Sequence, residues 1–184
     1  MKTNNTMQHI LRLTLTLLAI CAVVAAVLAG VNSITAPKIA ELTAQKTIEA
    51  IAAVLPDAET AKEVDFADDT GIVSTVYESD SGYAITVKPS GFDGEIEMMV
   101  GVDKEGTVLG ISIINQSETA GLGAVSAANN SKGEAFRSQY TGMSGELAVT
   151  KDGGAVEAIT GATITSRAVT AGVNAALACV ANFG

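Results

Sequence analysis

The chain has 184 residues and a formal net charge of −9, and 48% of its residues are hydrophobic but only 4% are aromatic. This length suits one domain and an accessory segment. Residues after 32 include twenty acidic and nine basic side chains, a net charge of −11. Such an acidic balance argues against nucleic acid as a partner and against a direct electrostatic grip on anionic lipid.

An uncharged apolar stretch lies near the N-terminus, at Leu13–Val31, and reads LTLTLLAICAVVAAVLAGV. As a helix it is about 28 Å long, close to the roughly 30 Å hydrocarbon core of a membrane. Lys2 and Arg12 precede it, and no acidic residue comes before Glu41. The positive-inside rule therefore predicts a single-pass anchor in the inner (plasma) membrane, in contact with lipid, with the N-terminus cytoplasmic and the remainder outside.

A cleaved signal peptide is the alternative interpretation of this stretch. Residues 27–29 read Val-Leu-Ala, which fits a small-residue cleavage site. The apolar stretch is longer than the usual h-region of about 7–15 residues, which favours a retained anchor.

A second helix is predicted from about Pro37 to Val54, because proline suits a first turn and apolar residues recur on one face. Pro56-Asp57 would end it. Residues 57–70 are acidic without a period and predict an irregular connection. The chain is thus divided into an anchor at 1–31, a juxtamembrane helix at 32–56 and an extracytoplasmic domain at 57–184.

The domain is predicted to be α+β, with an antiparallel sheet flanked by helices. Four segments alternate in polarity or are rich in β-branched residues, and short turns join them, which indicates antiparallel pairing. The predicted strands are Ile72–Glu78, Gly82–Lys88, Glu95–Val102 and Thr107–Ile114. After them we expect a loop at 115–130, a short helix at Ser131–Gln139, a strand at Leu147–Thr150 and a helix at Thr163–Ala181.

Residues 157–166 read EAITGATITS and are the most informative run of the chain. They place four hydroxyls around Gly161 and Ala162, directly before an apolar helical pattern. Small residues let a ligand approach the backbone, and a helix start offers unpaired N–H groups that favour a phosphate. The run therefore indicates a phosphate-holding turn, with ordinary Ser/Thr capping of a helix as the alternative.

A second segment, NQSETAGLGA at Asn115–Ala124, follows a predicted strand. Gly121 and Gly123 permit backbone geometry that is closed to other residues. Glu118 and Thr119 would either hydrogen-bond a polar ring or hold the loop itself.

Together the two segments resemble the FMN-binding domain family, which is shared by the G subunit of the Rnf ion-translocating electron-transport complex and the C subunit of the sodium-pumping NADH:quinone reductase. The matching motifs are Glu118-Thr119-Ala120-Gly121-Leu122-Gly123 and Thr160-Gly161-Ala162-Thr163. The similarity extends over Ser90–Asp103, Val108–Ile114 and the N-terminal anchor, and the stretch KPSGFDGEI looks more like the Rnf protein.

The resemblance implies a flavoprotein that carries FMN covalently, through a phosphoester to Thr163, which also makes it a phosphoprotein. A flavin transferase that uses FAD and magnesium would attach the cofactor. Glu157 stands where the family usually has Asp, so its carboxylate reaches one methylene further. Lys151 would approach the flavin's polar edge or be solvated. The remaining implied binding residues are Thr160, Gly161, Ala162, Glu118, Thr119, Gly121, Leu122 and Gly123.

In function, the resemblance implies an electron-relay subunit of a ferredoxin:NAD oxidoreductase complex that transports ions, not catalytic alone, with other membrane and peripheral subunits as partners. One alternative is a membrane-tethered extracytoplasmic flavin reductase acting on a small acceptor, for which only Arg137 and Arg167 are available. Another is a non-redox module whose threonines only cap a helix. Cys21 and Cys179 are predicted to be packing residues without a disulfide, and together with the single His9 they cannot build a zinc or iron–sulfur site.

Overall fold

The computed structural model describes residues 3–68 and 70–183, and the chain divides into two compact units, 1–45 and 46–184. Helix α1 runs from Thr3 to Val54 and includes Leu13–Val31. Pro37 lies inside this helix, so the prediction that it begins a second helix is wrong. The fixed φ of proline is compatible with a helix, and the flanking sequence is rich in helix formers. Lys2 lies outside the described residues.

The apolar side chains of residues 8–45, in the first unit, are exposed. Leu13 is 70% exposed, Leu18 65% and Val27 61%. Water is a poor solvent for such a surface, and lipid is a good one. By length and composition, the part of α1 from Gln8 onward is able to cross a membrane.

The second unit contains a five-stranded antiparallel sheet whose strands follow one another in chain order. This confirms the predicted α+β class, the four predicted strands and their antiparallel pairing. The strands are β1 (Lys62–Val64), β2 (Val73–Glu78), β3 (Gly82–Val87), β4 (Glu97–Asp103) and β5 (Val108–Asn115).

Strand β1 corrects the prediction that residues 57–70 are irregular. It is only three residues long and has no alternating pattern, and its register comes from backbone pairing with β2, where Lys62 lies opposite Glu78. A short 3-10 turn, Ala58–Thr60, precedes it. Pairing with a distant strand leaves no mark on so short a sequence, which is why the pattern did not predict this strand.

The predicted strand Leu147–Thr150 is also wrong, because Val149 makes only one isolated bridge, to Val156, and Thr150–Asp152 forms a 3-10 turn. The side-chain amide of Asn174 replaces a strand neighbour: it accepts from Leu147 N at 2.9 Å and donates to Leu147 O at 2.8 Å.

Helices cover both faces of the sheet in the second unit. Helix α3 (Thr163–Ala181) packs on one face against the inward side chains of β3 and β4, including Ile85 and Val100, as the alternation of strand side chains requires. Cys179 belongs to this core, as predicted, and burial raises the pKa of its thiol. Helix α3 is also long and apolar enough to cross a membrane, but 67% of its most apolar stretch is buried inside the domain.

The last turns of α1 cover the other face, where Ala50, Ile51 and Val54 pack with Met99. A Cβ at Gly101 would lie 2.4 Å from the carbonyl oxygen of Val54, so this glycine of β4 permits the helix end to approach the sheet.

Asn130 caps the N-terminus of helix α2 (Ser131–Ser138): its side chain accepts from Lys132 N and Gly133 N. It confirms the predicted short helix. The loop predicted at 115–130 contains a 3-10 turn, Gly123–Ala127, so it is more ordered than its composition indicated.

Candidate functional site

Helix α3 begins at Thr163, as predicted, and among the described residues no side chain caps its N-terminus. The capping position is held by Ala162, which has no acceptor atom, and the turn before it is made by Gly161 at φ +79°. The motif hydroxyls therefore do not cap this helix. The first-turn N–H groups of a helix lack intrahelical partners and attract anions.

The four hydroxyls of the motif occupy four different environments. Thr160 is exposed, whereas Thr165 and Ser166 are 1% and 0% exposed. The Ser166 hydroxyl donates to Ala162 O and accepts from Ile159 N, so it closes the motif turn. The Thr165 hydroxyl donates to Glu118. Thr163 is half-buried and lies at the helix start. Its hydroxyl is therefore both accessible to a ligand and next to the helix N-terminus.

Lys151 brings a cation to this hydroxyl. Its Nζ donates to Thr163 Oγ1 at 2.9 Å. The contact places an ammonium group at the N-terminal end of α3, where the helix dipole also favours negative charge. The side chain of Lys151 is exposed, and its contact with the flavin's polar edge stays a prediction.

A salt bridge next to Lys151 connects its turn to α3. Arg167 Nε and Nη2 donate to the two carboxylate oxygens of Asp152 at 2.7 and 2.6 Å. These hydrogen bonds hold the pKa of Asp152 below its ordinary value. Sequence reasoning did not pair these residues, because they are fifteen positions apart and lie on different elements.

Glu118 is a buried carboxylate, 7% exposed, with both oxygens occupied by protein donors. Oε1 accepts from Phe92 N at 2.8 Å and Asp93 N at 3.0 Å, and Oε2 accepts from the Thr165 hydroxyl. The Ser117 hydroxyl adds a bond to Asp93 O at 3.0 Å. Glu118 therefore joins three segments: its own loop, the turn between β3 and β4, and the first turn of α3.

The two glycines of the loop differ in what they permit. Gly121 has φ +77°, and a Cβ there would meet no described atom within 4 Å. Gly123 is not in the left-handed region, but a Cβ there would lie 2.4 Å from both Glu118 Oε2 and Thr165 Oγ1. The first is required for conformation and the second for space.

A cavity of about 310 Å³, here called the Thr163 cleft, brings the two predicted segments together. Three exposed apolar side chains stand at it: Phe92 (67% exposed), Leu122 (43%) and Ile164 (50%). Phe92 was not predicted to belong to the site. The residues that line the cleft are Phe92, Glu118, Thr119, Leu122, Gly123, Lys151, Gly161, Ala162, Thr163, Ile164 and Thr165.

The other predicted residues line a second cavity of about 520 Å³, here called the Glu157 cleft. The side chain of Glu157 is exposed, and its backbone is held by Gln139, which accepts from Glu157 N at 2.7 Å and donates to Glu157 O at 3.2 Å. Lining residues include Gly121, Lys132, Phe136, Gln139, Glu157 and Thr160. The motif thus runs between the two clefts, and its acidic residue does not line the cleft of Thr163.

The two arginines available to a reductase pocket are bonded within the protein. Arg137 Nη1 donates to Ser126 O at 2.7 Å and to Ala128 O at 3.1 Å, and Arg167 is paired with Asp152. Within the part of the chain that the structure describes, neither guanidinium lines the Thr163 cleft.

A half-buried threonine and an ammonium at an uncapped helix start, beside a glycine loop, make up the candidate site. Comparison with known protein families gives the class of protein: the FMN-binding domain family matches residues 91–178, and the RnfG N-terminal region matches residues 1–54.

Three curated proteins are similar over nearly the whole chain. The G subunit of the Na⁺-translocating ferredoxin:NAD⁺ oxidoreductase complex of Acetobacterium woodii is 36% identical, over 95% of this chain and 93% of its own length. The G subunit of the proton-translocating complex of Clostridium ljungdahlii is 32% identical over the same shares. The G subunit of the ion-translocating oxidoreductase complex of Methanosarcina acetivorans is 32% identical, over 92% and 94%. The chain therefore belongs to the family of Rnf-type G subunits, as the resemblance implied.

Proposed function

We propose that this protein carries FMN in a phosphoester bond to Thr163 and relays electrons as a membrane-anchored subunit of an ion-translocating oxidoreductase complex. The observation that carries the proposal is the position of the Thr163 hydroxyl. It lies at an uncapped helix start, receives a hydrogen bond from Lys151 at 2.9 Å and opens into the Thr163 cleft.

The residues of the Thr163 cleft fit the cofactor. Lys151 and the N-terminus of α3 would hold the phosphate, since both carry positive charge. Phe92, Leu122 and Ile164 offer apolar surface to an aromatic ring. When bound, FMN supplies the redox chemistry, and the protein supplies position and tuning.

Thr163 needs a base from another protein to become a nucleophile. A threonine hydroxyl requires an adjacent base, but the contact it has is with Lys151, an ammonium with three donors and no acceptor. Attachment therefore depends on a separate flavin transferase that transfers FMN from FAD with magnesium.

The similar proteins indicate the complex in which this protein would work. They are subunits of ferredoxin:NAD⁺ oxidoreductase complexes that translocate Na⁺ or protons. By analogy this protein works with other membrane and peripheral subunits and is not an enzyme alone. With both arginines bonded to protein acceptors, the geometry favours the relay over a tethered reductase.

A denaturing gel viewed under ultraviolet light tests the attachment, because only covalent flavin survives denaturation. The protein, co-expressed with a flavin transferase, should fluoresce. Thr163→Ala should lose the signal, whereas Thr163→Ser should keep it. Thr160→Ala and Thr165→Ala are the matched controls and should remain fluorescent. Fluorescence in Thr163→Ala would refute the assignment of the hydroxyl.

We also propose that the N-terminus is cytoplasmic and the flavin domain extracytoplasmic, because Lys2 and Arg12 precede the apolar part of α1. A protease added to cells with a permeable outer layer should digest residues after 45 and spare an N-terminal tag. Protection of the domain would refute this orientation and an outer-face relay.

A further inference from the structure

The turn that carries Lys151 touches α3 through two consecutive side chains. Lys151 donates to Thr163, and Asp152 accepts from Arg167. Thr163 and Arg167 are four residues apart, so they stand one above the other on the same face of the helix. Two neighbours in the turn therefore contact two neighbours along the helix face.

Backbone hydrogen bonds hold the turn itself. Thr150 N donates to Val156 O at 2.8 Å, Asp152 N donates to Val149 O at 2.8 Å, and Gly154 N donates to Val149 O at 3.1 Å. A Cβ on Gly154 would lie 1.9 Å from the carbonyl oxygen of Ala148. Because these bonds hold the backbone of the turn, the contact of Asp152 with α3 also bears on the position of the adjacent Lys151.

The salt bridge also bears on which partner Lys151 contacts. Arg167 occupies both carboxylate oxygens of Asp152 in a fork-like pair, which is the strong geometry for such contacts. Both carboxylate oxygens of Asp152 are therefore bound to Arg167 and not to the adjacent Lys151. The ammonium is left to the Thr163 hydroxyl and to a phosphate.

We propose that Asp152 and Arg167 are positioning residues for flavin attachment, which hold Lys151 at Thr163 Oγ1. The proposal rests on the proposed function of Thr163. In the transfer, the bond from Thr163 Oγ1 to phosphorus forms, the phosphoanhydride bond between FMN and AMP in FAD breaks, and AMP leaves. The hydroxyl proton passes to a base of the transferase, while Lys151 orients the hydroxyl and offsets the phosphate charge.

The test is the rate at which the purified full chain in detergent is flavinylated by a purified flavin transferase with FAD and magnesium. We expect Lys151→Met to lower kcat/KM by roughly tenfold or more, because a charge-assisted hydrogen bond is lost. Asp152→Asn and Arg167→Gln should lower it by roughly threefold to tenfold. The charge swap Asp152→Arg with Arg167→Asp should recover most of the rate.

A double-mutant cycle separates positioning from a general structural role. If the pair acts through Lys151, Asp152→Asn should have no further effect once Lys151→Met is present. Asp80→Asn and Lys104→Met make the same charge changes in the β2–β3 and β4–β5 hairpin turns, and they should keep the wild-type rate.

Two outcomes would overturn the inference: wild-type rates in Asp152→Asn and Arg167→Gln, or an equal loss with and without Lys151. Failure of the proposed function looks different. In that case the wild-type chain itself takes up no flavin, or Thr163→Ala takes it up as well.

Discussion

The Thr163 cleft and the Glu157 cleft lie on either side of one motif but offer different chemistry. The Thr163 cleft combines a half-buried hydroxyl and an ammonium, and its carboxylate, Glu118, is buried and satisfied by protein donors. The Glu157 cleft is larger and has an exposed carboxylate, Glu157, and an exposed ammonium, Lys132.

The difference shows that residues of one short motif can line two different cavities. Glu157 is three residues from Thr160 in the motif, yet its backbone is bound to Gln139 at the end of α2. Its carboxylate therefore does not line the cavity in which Thr163 would react. The position at which this chain has Glu in place of the family's usual Asp is therefore not among the residues that line the Thr163 cleft.

The largest loss of stability should come from substitution of Glu118, the residue that joins three segments beside the Thr163 cleft. Glu118→Ala leaves the buried Thr165 hydroxyl and the partly buried backbone N–H groups of Phe92 and Asp93 without their acceptor, and should lower the free energy of unfolding by about 3 kcal/mol. Glu118→Gln retains an acceptor for the two backbone N–H groups and can donate to Thr165, so it should cost less than about 1 kcal/mol. Urea unfolding of the full chain in detergent measures both.

The control is Glu105→Ala, which removes an exposed carboxylate from the β4–β5 turn and should change little. Equal losses in the Ala and Gln variants would contradict the geometry, since they would mean that the charge of Glu118 and not its acceptor atoms stabilises the fold.

A smaller effect is expected at the two loop glycines, one from each cleft. Gly123→Ala places a methyl group 2.4 Å from Glu118 and Thr165 and should cost about 1–3 kcal/mol. Gly121→Ala meets no described atom but must hold φ at +77°, which costs about 1–2 kcal/mol. The flavin absorbance of the native protein should change in Gly123→Ala and stay unchanged in Gly121→Ala. The opposite result would place the ring on the other side of the motif.

The contact between Gln139 and the motif backbone should contribute less to the stability of the fold than the two glycines do. Gln139→Ala removes two hydrogen bonds to Glu157 and should cost about 1 kcal/mol, whereas Glu157→Gln should stay within about 0.5 kcal/mol because its side chain is exposed. Thermal unfolding compares the two. A larger loss in Glu157→Gln than in Gln139→Ala would show that the carboxylate makes a contact that holds the turn.

The smallest effect is the pH dependence of the Asp152–Arg167 pair. The folded pKa of Asp152 lies below the ordinary value of 3.8, so the pair stabilises the fold above about pH 4. The contribution is lost as the pH falls through the folded pKa. Arg167→Gln should therefore be less stable than wild type in urea at pH 7 and indistinguishable from it near pH 2. A difference that persists at low pH would contradict an ionic contribution.

Local patterns predicted much of the fold. The helix Thr163–Ala181 and four of the five strands follow from periodicity and turn residues. Strand β1 did not, because its conformation depends on pairing with β2, and neither did the absence of a strand at Leu147, because Asn174 on α3 binds both backbone groups of that residue. Likewise, a helical pattern cannot say whether a proline such as Pro37 interrupts a helix.

The sequence by itself determined the apolar stretch at Leu13–Val31, the α+β class, and the two segments that meet in the Thr163 cleft. Only the tertiary structure decided which hydroxyl is accessible, because Thr165 bonds to Glu118 across 47 positions. It also decided that Glu157 faces a different cleft and that Arg167 pairs with Asp152. Hydrophobic period is a property of neighbouring residues, whereas the partner of a polar side chain depends on which distant segments the packed core brings together.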